Sequence, residues 1–530
     1  MTDGGGSGLK GYNVYRNGAY LKQVLAPAIS TADAGVAAST VYSYAVMAMD
    51  NAGNASAMST TVSTNTPGCP VSGGGPWAKR WGGTGSDVGK AITTDGSGNV
   101  LVGGSFSATV DFGSGALSSG GMGDAFVAKY GPDGTPVWSR RMGGTGNDGV
   151  QGIAVDRSGN VFVTGYFQNS VDFGSGTPLN SAGLMDIFIA KYSASNGFLW
   201  AKRFGSPGDD AGYGVAVDGN GDVLVTGMFN GSINFGGTTL NTYGGGHGMF
   251  VAKFSGATGT HVWSKNLQSY SASVGMGVAV DGAGNALVTG DHLASVIFRG
   301  VTYPNAGYAE DIFLAKYAAA DGAEMWFKHF GGPNTDIGTG IAVDLRCVGG
   351  SNAGGACTSD ATCPGSTCGS VVITGQFNEY SSAPIDFGGG SVASTNNDVF
   401  VAKYTVANGA YIWAKHATGP GWENATGVAV DSAGDVVVTG NFDQAIDFGG
   451  GALASAGSGD IFVTKLSGAS GAQVWARGYG AAGNESGNAV AIDGNRNVVA
   501  CGWFGGTVNF GGAALTSAGS GDIFVIDLTP

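Results

Sequence analysis

An all-β fold made of one repeated four-stranded unit follows from three features of the sequence. Tryptophan recurs at positions 77, 138, 200, 263, 326, 413 and 475, in steps of 61, 62, 63, 63, 87 and 62 residues. An aspartate ahead of a glycine- and asparagine-rich turn keeps the same beat, at Asp95, Asp156, Asp218, Asp281, Asp344, Asp431 and Asp493. Glycine makes up 101 of 530 residues, with only 14 prolines and no three-residue glycine period. That excludes a collagen helix and points to many short strands joined by tight turns.

Within one copy, "GIAVD" and "NVFVTGYF" flank the turn "DRSGN" and read as a hairpin, because Gly and Asn supply the positive φ such turns need. A longer loop carrying "VDFGSG" leads to a third strand, "DIFIAKYS", and the short turn "ASNG" to a fourth, "FLWAKRFG". A further marker lies 16 residues beyond the turn aspartate, at Asp111, Asp172, Asn234, Ile297, Asp447 and Asn509. In the fifth copy its equivalent, Asp386, lies 42 residues after Asp344, and these 26 extra residues account for the single long tryptophan step. Four antiparallel strands repeated seven times predict a seven-bladed β-propeller. The first Trp strand, 77–82, has no third strand before it, and the last third strand, 522–528, has no fourth after it. The amino-terminal strand is therefore expected to complete the last blade and close the ring, which removes exposed sheet edges.

Through "AVDxxGNVxVTGxF", "DFGG" and "DIFVAKY", residues 77–530 resemble the SBBP-type bacterial β-propeller repeat. The resemblance implies a large secreted or surface protein. Ahead of it, "GYNVYRNGAYL", "YSYAVMAMDNAGNAS" and "STTVSTNTP" resemble the later two-thirds of a fibronectin type III domain, with Tyr42 at that family's tyrosine-corner position. That family's first two strands are missing, and "MTDGGGSGLKG" has no apolar signal core, so a natural start upstream of Met1 is expected. The expected organisation is a partial fibronectin III-like β-sandwich over 1–66, a linker over 67–76, and the propeller over 77–530 with a cysteine-rich insertion at 346–369.

A net charge of −14 disfavours a nucleic-acid partner, which needs a basic face. No run of 18 apolar residues exists, so no membrane span is expected. Four of the six cysteines, Cys347, Cys357, Cys363 and Cys368, are separated by nine, five and four residues. Zinc sites favour CxxC pairs, so two disulfides of open connectivity are the better reading. They imply an oxidising, extracellular or cell-surface location. Cys501 takes the place of Thr164 in the repeat and reads as a buried free thiol; Cys69 is uninformative.

Eight residues before each turn aspartate stand Asp87, Asp148, Asp210, Ser273, Asp336, Glu423 and Glu485. Six acids at one loop position suggest a carboxylate ring at the channel mouth that would collect calcium. The competing reading, favoured by their regularity, is a side chain that caps loop amides in every copy. "DGNGD" at 218–222 imitates the start of an EF-hand, but its twelfth position is Phe229. "GTGNDG" at 144–149 lacks the helix a dinucleotide fingerprint requires. The fourth copy departs most from its siblings, with Ser273 for an acid, Asp291-His292 where the second reads Tyr166-Phe167, and Ile297 for Asp. With Tyr243 and His247 nearby in sequence, these residues form a candidate ligand-binding group, although degeneration of one copy predicts the same pattern. His329 and His416 fill the position of Arg80, Arg141 and Arg203 and read as strand-end polar residues.

The resulting expectation is a non-catalytic propeller acting as a scaffold, adhesion or protein-binding module toward an extracellular protein or glycan. No cofactor is expected beyond calcium. The alternatives are a lectin-like propeller, which no recurring loop aromatic supports, and a lyase with Asp291 and His292 as its acid and base.

Overall fold

The computed structural model describes residues 7–27, 41–65, 76–348, 355–357, 363, 367–378, 384–394 and 396–530. They fall into two units, Met1–Gly73 and Gly74–Pro530, divided inside the expected linker. Every regular element among the described residues is a β-strand.

In the first unit, Leu9–Arg16, Ala19–Leu25, Val41–Asp50 and Val62–Asn65 form one antiparallel sheet in the order second, first, third, fourth. The Arg16 guanidinium lies 5.1 Å over the Tyr42 ring. A sandwich needs two sheets, and the described residues of this unit form one, with Leu9, Val46 and Val62 left exposed.

The second unit contains seven four-stranded antiparallel sheets among its described residues, one for each tryptophan copy. In the second copy the strands are Gly149–Val155, Val161–Val171, Leu179–Tyr192 and Phe198–Phe204, hydrogen-bonded in sequence order. The seventh sheet takes Glu485–Ile492, Val498–Phe504 and Asp522–Leu528 from one end of the unit and Ala78–Trp81 from the other, with Ile523 opposite Trp81. First strands pack on first strands: Gly149–Val155 touches both Val88–Thr94 and Ala211–Val217, and Glu485–Ile492 also touches Val88–Thr94. The third strands are buried over their central and final residues, as in Asp124–Tyr130 and the last seven residues of Leu179–Tyr192, because sheets cover both of their faces there. Apolar residues between neighbouring sheets make the core. Phe162, Ile187 and Trp200 of the second sheet, for example, meet Val223, Phe250 and Phe254 of the third. Each large side chain buried this way contributes roughly 1.5–3 kcal/mol.

Two repeated devices lock the sheets. In the turns, Asp156 Oδ1 accepts the amides of Ser158 and Asn160 at 2.9 Å, and Gly159 takes φ +79°. A lysine of the third strand neutralises that aspartate: Lys129–Asp95 at 2.8 Å, Lys253–Asp218 at 2.8 Å and Lys465–Asp431 at 2.9 Å are examples. The repeat tryptophan then donates its indole N–H to a turn carbonyl of the next sheet, as Trp138 does to Ala194 and Trp200 to Gly256. Trp77 of the seventh sheet reaches Pro132 of the first in the same way, at 3.0 Å.

In the fifth sheet, Ile337–Cys347 and Cys368–Phe377 extend the first hairpin, with Cys347 opposite Cys368. Disulfides join Cys347 to Cys363 and Cys357 to Cys368, and these cysteines form a small cluster of their own. Cys501 is a buried free thiol, whereas Cys69 lies outside the described residues.

Candidate functional site

The six repeated acids are buried at the ends of the loops that carry them. Asp87, Asp148, Asp210, Asp336, Glu423 and Glu485 are all buried, the most exposed at 2%. Asp148 accepts the amides of Gly144 and Gln168, both at 2.9 Å. Asp87 takes those of Gly83 and Ser107, and Asp336 those of Gly332 and Asn378. Ser273 of the fourth copy instead reaches back to the preceding sheet, its Oγ accepting the Met249 amide at 3.0 Å. Burial raises the Asp148 carboxyl to about 6 against the lowering effect of those amides, so desolvation dominates there. Glu423 of the sixth sheet meets Asp398 of the fifth; burial raises both carboxyls, and the Asp398 charge raises Glu423 further, whereas Glu423 acts to lower Asp398. Five of these six side chains accept loop amides, Glu423 being the exception, an arrangement that fits the capping reading better than the cation-collecting ring.

The fourth-copy candidates also separate. Asp291 and His292 are neighbours on one strand, so their side chains leave opposite faces of the sheet and form no joint acid–base pair. Asp291 is buried, and desolvation, helped by the nearby Glu310 charge, lifts its carboxyl to about 7. His292 is fully buried and approaches His329 and Asp311 of the same sheet. Tyr243 is half exposed, and His247 begins the third strand of the third sheet opposite Asn230.

A different site emerges where the sixth, seventh and first sheets meet. A polar concavity of about 470 Å³ is lined by Trp422, Asn424, Asn441, Asp443, Asn484, Asn488, Trp503 and Lys90, with others. The loop carrying Trp422 is pinned by a hydrogen bond from the Trp422 amide to Asp443, which leaves its indole 64% exposed. Trp503 sits on the second strand of the seventh sheet, and Gly521 packs so closely on its ring that a Cβ there would approach within 3.1 Å. Asn488 donates from Nδ2 to the Gly89 carbonyl at 2.7 Å and accepts from Ser486 Oγ at 3.0 Å. The Asn424 side-chain oxygen is buried yet has no partner among the described residues. Lys90 is accessible to solvent but walled by protein, which lowers its ammonium pKa. Two indole faces beside several amide groups suit a flat ligand with apolar faces and hydroxyl edges.

Sequence reasoning passed over this site because it sought aromatics that recur. Trp422 occurs where the siblings have Ser86, Asn147, Asp209, Ala272, Thr335 and Asn484, and Trp503 where they have Ser105, Tyr166, Met228, Asp291, Gln376 and Asn441. The signal was departure from the repeat, the same criterion that singled out the fourth copy.

The family model described as "Beta-propeller repeat" matches residues 137–166 and 199–234. Among curated proteins, an uncharacterized WD repeat-containing protein of Acanthamoeba polyphaga mimivirus is 24% identical over 442 residues, which is 70% of this chain and 31% of that protein. Exoglucanase B of Cellulomonas fimi is 48% identical over 73 residues, 14% of this chain and 6% of that enzyme. The matched part is thus under a third of either relative's length. Among solved structures, the quinohemoprotein alcohol dehydrogenase from Comamonas testosteroni aligns over 86% of this chain and 76% of that one, at 11% identity and a TM-score of 0.35.

Proposed function

We propose that this chain, a β-propeller repeat protein, is a non-catalytic, secreted or cell-surface module that binds glycans in the cleft of Trp422 and Trp503. In this reading the seven sheets are the blades of one ring, closed by the Ala78–Trp81 strand. The contact of Glu485–Ile492 with Val88–Thr94 and the Asn488–Gly89 hydrogen bond support the closure. The two disulfides suit an oxidising exterior. A short match to an exoglucanase is consistent with a glycan setting.

The observation that carries the reading is the pair of non-repeated tryptophans in one concavity with the unsatisfied Asn424 oxygen. Sugar rings stack their C–H faces on indoles while their hydroxyls satisfy amides, so both kinds of group are used at once. The test is a glycan array followed by calorimetry on the best binder. Trp422→Ala and Trp503→Ala should each weaken binding roughly tenfold or more, the loss of about 1.5 kcal/mol expected for a central aromatic contact. Absence of any array signal, or equal affinity in both variants, would overturn the reading.

A further inference from the structure

His292, Asp311 and His329 come from the second, third and fourth strands of the fourth sheet, and their ligand-capable atoms lie within 4.8 Å of one another. We infer that they form a binding site for one divalent transition metal of the zinc class.

Comparison with the sibling sheets shows what changed. The first sheet has Phe106, Asp124 and Arg141 at these positions, and the second has Phe167, Asp186 and Arg203. There the arginine pairs with the aspartate beneath a buried phenyl ring, Arg203 Nε lying 2.8 Å from Asp186 Oδ2. The fourth sheet keeps the aspartate and replaces both the phenyl and the guanidinium by imidazole. A single histidine in place of arginine, as at His416 beside Asp398 in the fifth sheet, leaves Phe377 in the core. Only where both positions become histidine do three ligands converge.

The surroundings are those of a metal site. His292 is 0% exposed, and its Nδ1 lies 2.8 Å from the Ala294 carbonyl, which makes Nδ1 the protonated nitrogen. Its Nε2 therefore carries a lone pair, and that atom has no hydrogen-bond partner among the described residues. His329 Nδ1 is likewise buried without one. The Ala306 amide donates to Asp311 Oδ2 at 2.9 Å, which orients the carboxylate from behind. Burial lowers both imidazole pKa values, which favours the neutral form that a metal requires. Two imidazoles and one carboxylate suit zinc and its neighbours rather than calcium, which prefers oxygen alone. Tyr303 and Phe327 pack on the rings and keep the site largely dry.

The test uses the full chain stripped with EDTA and titrated with cobalt(II), whose visible bands report nitrogen and carboxylate ligation, then with zinc by calorimetry. One equivalent should bind, and zinc should displace cobalt. The double variant His292→Phe with His329→Arg restores the sibling residues, so it should fold; it should lose at least a hundredfold in affinity. Asp311→Asn, which keeps the acceptor from Ala306, should weaken binding about tenfold or more. No stoichiometric binding by the wild type, or undiminished binding by the folded double variant, would overturn the site.

Discussion

Asp527, 5% exposed, faces Asp493 at the position where six sibling sheets set a lysine against the same aspartate. The last third strand reads "DIFVIDL" where others read "DIFVAKY" or a close variant. Burial, and secondarily the Asp493 charge, lift the Asp527 carboxyl to about 7. A carboxyl that binds its proton more tightly folded than unfolded favours the native state at acid pH. That advantage is lost as pH rises from the ordinary carboxylate range through about 7. Asp527→Lys should restore the sibling ion pair, flatten this slope and add about 2 kcal/mol at pH 8. Asp527→Asn should flatten the slope with a smaller gain. Urea unfolding at pH 5, 6.5 and 8 checks both, and a wild type equally stable across that window would refute them.

The indole latches allow a matched comparison. Trp138 Nε1 donates to the Ala194 carbonyl, whereas Trp475 Nε1 has no partner among the described residues. Trp138→Phe and Trp475→Phe remove the same volume, so their difference isolates the hydrogen bond. The first should cost about 1 kcal/mol more than the second in chemical denaturation.

Millimolar calcium should leave the melting temperature unchanged, because five of the six repeated acids already serve loop amides. Asp148→Ala should nonetheless destabilise by about 2–3 kcal/mol, since it strands two amide donors that Asp148 satisfies. A calcium-dependent rise of several degrees, abolished by that substitution, would restore the cation ring.

Reduction should act locally. The four bridged cysteines cluster with each other, apart from the inter-sheet cores. Breaking their bonds should raise hydrogen exchange around Cys347 and Cys368 while the melting temperature moves little. A large global drop would mean that the pin supports the fifth sheet itself.

Much of the architecture was legible because a repeat multiplies every weak local signal. One "DRSGN" turn is a modest hint of a hairpin, and seven equivalent turns 61 to 87 residues apart define a strand count. The lysine of "VAKY" and the aspartate of "AVD" were both visible, but not their ion pair, which forms across about 35 residues through sheet pairing. The lining of the Trp422 cleft was hidden for a related reason: it draws on residues from Lys90 to Trp503, and only packing brings them together. His329 looked like a strand-end substitute because its meaning depends on His292, which lies two strands away in the sheet.

The sequence by itself determined the strands, their turns, the seven-fold count and the expected partner for the unpaired edge, because periodicity and turn chemistry are properties of short segments. The tertiary structure decided where polar groups spend their hydrogen bonds. It buried the repeated acids, five of the six on loop amides, separated Asp291 from His292, and gathered two tryptophans from different copies into one cleft. The physical reason is that a side chain's chemistry is set by neighbours distant in sequence, whose distances and desolvation follow from how the sheets pack.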